Sequence, residues 1–201
     1  MKKSISVIAI ILSMVMVLAS CGTNQNGKDE EPVSTPDPEL VKNTVNATIE
    51  LEDGDEIMLE LYPDLAPDTV ENFVELAEDG FYDGTIFHRV IEDFMIQGGG
   101  FTADGQHKEA DSIKGEFDGN GVTNPLKHTR GVLSMARTMF PNSASSQFFI
   151  MHEDAPHLDG QYAAFGKVTE GIEVVDEIAE TPTDMQDKPI EDQIIKTIRL
   201  V

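Results

Sequence analysis

A chain of 201 residues with 14 Lys and Arg against 37 Asp and Glu carries a net charge of −23. Such a surface repels phosphate backbones, which argues against a nucleic-acid partner, and it disfavours adhesion to anionic lipid headgroups. With 40% hydrophobic and 25% charged residues the composition is that of a soluble globular domain, and the one cysteine, Cys21, excludes an intramolecular disulfide and the usual zinc spacings.

Lys2 and Lys3 precede an apolar run from Ile5 to Ala19 that only Ser6 and Ser13 interrupt. As a helix the run spans about 22 Å, short of the roughly 30 Å of bilayer hydrocarbon, so it reads as a signal-peptide core. It ends Leu18-Ala19-Ser20-Cys21, which resembles a bacterial lipobox. The resemblance implies that Cys21 is diacylated and becomes the mature N-terminus, and two acyl chains suffice for stable anchoring. Loss of residues 1–20 removes two lysines and no acid, taking the net charge from −23 to −25. From Gly22 to about Asn43 the chain is polar and punctuated by Pro32, Pro36 and Pro38, with no recurring apolar position. It reads as a flexible tether, although its last few residues can dock on the domain. The expected organisation is a leader at 1–20, a lipid-anchored linker at 21–44 and one domain at 45–201, held outside the cytoplasmic membrane.

Within the domain, Val45, Ala47, Ile49 and Leu51 alternate with polar residues, as do Ile57, Leu59 and Leu61. Glu52-Asp53-Gly54-Asp55 between them is a hairpin signal, so two antiparallel strands are predicted. Pro63 to Pro67 is a turn. Asp68 or Thr69 is the expected N-cap of a helix whose apolar side is Val70, Phe73, Val74 and Ala77, and Gly80 ends it. From Thr85 to Gly131 the chain is strand-like at both ends and glycine-rich between. Apolar runs follow at Val132–Ala136, Gln147–Met151 and Ala163–Val168, then a second helix over Glu173–Ala179. The β-branched content of Gln193–Val201 favours a closing strand. Many short strands with two helices predict a mainly β fold, a closed antiparallel barrel.

The stretch from Phe87 to Gly99 is too apolar for a surface loop, yet it carries His88, Arg89 and Gln97. Arg89, Phe94, Met95 and Gln97 are spaced to line one concave face of a strand that bends at Glu92-Asp93. A cationic fork beside an aromatic floor, with an amide nearby, suits a neutral polar ligand that carries an apolar ring. The structural alternative pairs Arg89 with Glu92 or Asp93 and leaves Phe94, Met95 and Phe149 as ordinary core. His88 reads as packed and hydrogen-bonded, and His107, His128 and His152 as loop or surface residues. No histidine pair has metal-ligand spacing. Asp118, Asn120 and Asn124 fail as a calcium loop because Thr123 and Thr129 stand where glycine and glutamate are needed. Neither a metal nor another cofactor is expected.

Several collinear motifs resemble the cyclophilins, the cyclosporin-binding class of peptidyl-prolyl isomerases. Pro67-Asp68-Thr69-Val70-Glu71-Asn72-Phe73 is similar to the family's first helix, and Phe87-His88-Arg89 through Gln97-Gly98-Gly99 to its signature strand and loop. Gly131 to Ala136, Ser146 to Ile150, Leu158-Asp159-Gly160 and Phe165-Gly166-Lys167-Val168 follow in order, so the resemblance spans nearly all of residues 45–201. It implies an eight-stranded antiparallel barrel closed by two helices, acting on proline-containing polypeptides. It matches Arg89 to the catalytic arginine and Gln97 and Gln147 to the polar residues that order the arginine and the substrate backbone. It matches Phe94, Met95, Phe149 and Leu158 to the seat of the proline ring, and Ala136 to the pocket wall. Three positions depart. Arg137 stands for an asparagine that uses mainly its backbone, Tyr162 for a histidine, and His157 for a tryptophan that matters most for cyclosporin, so binding of that drug is expected to be weak. The segment from Thr138 to Ser145 is one residue longer than in the best-known members. A monomer is expected.

Overall fold

The computed structural model describes residues 39–201. The expected leader, Cys21 and most of the expected tether lie outside the described residues. Strands β1 (Val45–Leu51) and β2 (Glu56–Leu61) form the predicted hairpin, with Val45 opposite Leu61 and Glu50 opposite Glu56. The turn closes through Gly54 at φ 99°, where a side chain is disfavoured. Helix α1 (Pro67–Glu78) follows and buries Val70, Phe73 and Ala77. Neither Asp68 nor Thr69 caps it through its own side chain. The distant Glu116 does so instead, accepting the N–H of Thr69 (2.8 Å), the hydroxyl of Thr69 (2.7 Å) and the N–H of Asp68 (3.2 Å). A buried carboxylate at a helix N-terminus satisfies orphan donors and faces the positive end of the dipole.

The signature stretch is a hairpin and not one bent strand. β3 (Arg89–Ile91) and β4 (Met95–Gly98) are joined by a tight turn with Asp93 at φ 59°. Between β4 and β5 (Val132–Met135) the chain forms no further strand, so the strand-like end expected before Gly131 is irregular. A short 3-10 turn at Asp118–Asn120 interrupts it. β6 (Phe148–Met151), β7 (Ala164–Glu170), α2 (Ile172–Ala179) and β8 (Ile195–Leu200) complete the domain close to the predicted positions.

The eight strands of the described residues join one antiparallel sheet in the order β3-β4-β6-β5-β7-β2-β1-β8. The sheet is curled like a half-barrel, where a closed barrel was expected. The end strands β3 and β8 do not form a ladder with each other. Their approaches meet in an isolated bridge between Ile86 and Ile194, flanked by Phe87 N–H to the Gln193 carbonyl (2.9 Å) and Ile195 N–H to the Thr85 carbonyl (2.7 Å).

Strands β4, β5 and β6 are largely buried on both faces, which is why their sequences read as continuous apolar runs. Alternate residues go to different clusters. Ile96, Leu133, Met135, Phe148 and Ile150 join the main core with Phe73, Tyr82 and Phe165. There Phe73 sits 5.4 Å from Phe148, edge to face, and 5.3 Å from Phe165. Met95, Val132, Phe149 and Met151 point to the opposite face and build a second cluster with Tyr62, Leu65, Leu126 and Leu158. The end of the expected tether docks: Asp64 accepts the N–H groups of Lys42 (2.7 Å) and Asn43 (2.8 Å), and Val41 packs against this second cluster.

Candidate active site

The second cluster opens into a pocket of about 150 Å³ lined by Arg89, Phe94, Met95, Gln97, Ala136, Arg137, Phe149, Leu158 and Tyr162. Strand register assembles it. Arg89 lies opposite Gln97, Gln97 opposite Phe149, and Phe149 opposite Ser134. Directly paired residues in a sheet share a face, so a cation, an amide and an aromatic ring stand side by side across three strands. Met95, two residues from Gln97, faces the same way and is 2% exposed, while Phe149 is 4% and Leu158 8% exposed. Leu158 arrives on a 3-10 turn (Pro156–Leu158) and Phe94 from the tip of the β3–β4 hairpin.

Gln147 lies just outside the lining and accepts the Gln97 Nε2 hydrogen bond at 2.9 Å. Its side chain crosses Gly100 so closely that a Cβ there would lie 2.5 Å from Gln147 Cγ. Only glycine fits at that position while Gln147 keeps this course. Its backbone carbonyl also accepts the Ala136 N–H (2.9 Å), which holds the pocket wall. Arg137 folds back over the surface. Its Nε and Nη2 donate to the Gln161 carbonyl (3.1 and 2.8 Å), and its guanidinium lies 4.5 Å above the Tyr162 ring. His157 is outside the pocket lining and stacks on Phe94 with ring centres 5.7 Å apart.

The sequence model of the family described as cyclophilin type peptidyl-prolyl cis-trans isomerase/CLD matches residues 46–200. The chain belongs to this family. It is 50% identical over 123 residues to the peptidyl-prolyl cis-trans isomerase B of Bacillus subtilis, a match covering 61% of this chain and 82% of that protein. Against the isomerase-like 2 protein of Gibberella zeae it is 41% identical over 162 residues, covering 80% of this chain but only 27% of that longer protein. The crystal structure of a Cryptosporidium parvum cyclophilin-type isomerase, solved in the presence of the dipeptide Ala-Pro, superposes with a TM-score of 0.66. That pair is 34% identical, over 78% of this chain and 98% of that one. The chain is thus a cyclophilin-type peptidyl-prolyl cis-trans isomerase.

In this cyclophilin the partner of Arg89 is neither Glu92 nor Asp93. It is Asp187, whose Oδ2 is 3.4 Å from Arg89 Nε. Two histidines expected as loop or surface residues lie outside helix and strand but are buried, His128 at 1% and His152 at 7% exposure. His128 stacks beneath Phe149 at 6.1 Å, with Nδ1 3.2 Å from Asp159 Oδ1 and Nε2 3.0 Å from the Ser134 hydroxyl. Burial lowers its pKa, although Asp159 opposes the shift. His152 Nδ1 accepts the N–H of Asp93 (2.9 Å), and its Nε2 lies 3.3 Å from Asp176, which also takes a bidentate pair from Arg130. The left-handed Asp93 is thereby pinned next to Phe94. His88 is packed, edge to face with Phe101 at 4.8 Å, but its Nδ1 is buried without a hydrogen-bond partner among the described residues. Burial pushes this imidazole down to about 4, and the Ile86 carbonyl only partly offsets that.

Proposed function

We propose that this enzyme turns over proline-containing segments of exported proteins from a lipid anchor outside the cytoplasmic membrane, with Arg89 as its transition-state donor. The supporting observation is the row Arg89–Gln97–Phe149 on one face of the sheet, at the mouth of an apolar pocket. The Ala-Pro dipeptide named with the related Cryptosporidium structure fits such a ligand.

Rotation about an X-Pro amide faces a barrier of about 18–20 kcal/mol from lost conjugation, and unaided exchange takes tens to hundreds of seconds. In the twisted transition state the nitrogen regains a lone pair and the carbonyl loses dipole. An apolar seat favours that state, because the planar amide is more polar and loses more on desolvation. Phe94, Met95, Phe149 and Leu158 supply the seat. A donor aimed at the emerging lone pair is the second element, and a guanidinium stays charged at any relevant pH with a rigid donor fork. Gln97, held by Gln147, stands opposite Arg89 in the strand register and faces the substrate backbone. Ala136, Arg137 and Tyr162 form the rim. One charge-assisted hydrogen bond contributes about 1.5–3 kcal/mol, or about 10- to 100-fold in rate. A 10⁵-fold acceleration needs roughly 7 kcal/mol, so desolvation and grip on the flanking residues supply the remainder. Cyclosporin binds weakly in this reading, because His157 covers Phe94 where the family's tryptophan would stand.

The anchor rests on Leu18-Ala19-Ser20-Cys21 after a short apolar run. Exchange spectroscopy on an Ala-Pro peptide tests the site: wild type accelerates exchange and Arg89→Ala loses most of the acceleration. A near-normal rate in the variant removes Arg89 from the mechanism. Palmitate labelling of the wild type that persists in Cys21→Ser overturns the anchor.

A further inference from the structure

β3 is an end strand of the sheet, and a turn from Thr183 to Pro189 covers its open edge. The turn is tied from within. Asp184 Oδ1 accepts the N–H groups of Gln186 (2.8 Å) and Lys188 (3.0 Å), and the Asp184 N–H donates to the Lys188 carbonyl (2.8 Å). The tie carries Asp187 into a left-handed backbone, φ 63°, which few non-glycine residues other than Asn and Asp tolerate. From that position Asp187 grips β3 twice. Its carbonyl accepts the Val90 N–H at 2.8 Å, and its carboxylate meets Arg89 Nε at 3.4 Å. The neighbouring Lys188 is engaged elsewhere, 3.0 Å from Asp192, so it does not compete for the Asp187 carboxylate.

We infer that Asp187 is a positioning residue that holds Arg89 by its Nε edge and presents the two terminal nitrogens to the substrate amide. A guanidinium is a rigid plane with donors on three nitrogens, so fixing one edge fixes the direction of the others. Without that hold a half-exposed arginine samples many rotamers, and the transition state must order it at its own expense. The unusual backbone at Asp187 fits a site where the fold spends conformational freedom on placing one side chain. The inference rests on Arg89 being the donor.

The test is turnover at saturating Ala-Pro peptide in a two-by-two set of Asp187→Asn and Arg89→Lys. Asparagine and glycine both accept the left-handed backbone, so Asp187→Gly serves as a second carboxylate-free variant. Each should lower turnover about threefold with an unchanged KM, the scale of an exposed ion pair. In the Arg89→Lys background, which has no Nε donor in a planar fork, Asp187→Asn should have no further effect. Added salt should lower wild-type turnover towards that of Asp187→Asn and leave Asp187→Asn unchanged, because the pair is exposed and screened. An equal loss in both arginine and lysine backgrounds, or full turnover in both Asp187 variants, overturns the inference. If Arg89→Ala is impaired while the Asp187 variants run at full rate, only the positioning role fails. If Arg89→Ala itself runs at full rate, the donor reading fails with it.

Discussion

The β3–β4 wall of the pocket presents Arg89 and Gln97 half-buried and held by polar contacts, the first to Asp187 and the second to Gln147. The β5–β6 wall presents Phe149 at 4% exposure, wedged between the His128 and Tyr162 rings at 6.1 and 5.9 Å. In the proposed mechanism one wall is a directed charge that must stay wet enough to meet a substrate. The other is a dry seat belonging to a packed cluster. On that proposal orientation and desolvation come from different strands, and substitutions should separate them: the proposed seat is coupled to stability and the proposed donor is not.

The largest effect is expected at the seat. Phe149→Ala should destabilise the domain by about 3–5 kcal/mol, as large-to-small changes in aromatic core positions do, and weaken peptide binding. Denaturant unfolding beside peptide titration measures both, and a fully stable variant would place Phe149 outside the packed cluster. Next is pH. His88 and His128 have folded-state pKa values lowered by burial, His88 to about 4, against about 6.5 for a free imidazole. The unfolded chain therefore takes up protons that the folded chain refuses. Their contribution to stability is full above pH 6.5 and is lost as pH falls below it, for His88 as pH approaches 4. Thermal midpoints should decline across that window, and less steeply in His88→Phe; an unchanged slope would contradict the assignment. The smallest effect is at Asp64, whose pKa the Lys42 and Asn43 N–H groups lower. Asp64→Ala should release the docked segment without moving the midpoint appreciably. In the wild type that docking should persist above the usual carboxylate range and fail only as pH drops below it. Hydrogen exchange at the Lys42 and Asn43 amides reads both.

Much of this was legible in the sequence. The β1–β2 hairpin declares itself through period-two alternation and Gly54. The pocket residues could be named because Arg89 and Gln97 interrupt an apolar run and the family's motifs run in order. What the residues alone did not reveal is long-range. Asp187 is 98 residues from Arg89, and Glu116 is 47 from the Thr69 amide it caps. Neither has a local spacing to betray it. His128 sits among turn residues and looks exposed, yet the irregular segment folds it beneath Phe149 against Ser134 and Asp159. The single bent strand expected at Glu92-Asp93 is a hairpin because Asp93 adopts a positive φ stabilised by His152, again from a distant strand end.

The separation of donor from seat is tested most directly by titrating one Ala-Pro peptide against wild type, Arg89→Ala and Leu158→Ala, reading affinity and bound-state exchange rate from the same spectra. The donor reading predicts that Arg89→Ala slows bound exchange about 10- to 100-fold with little change in affinity, while Leu158→Ala acts mainly through affinity. Bound exchange at the wild-type rate in Arg89→Ala, with its defect confined to affinity, would contradict it.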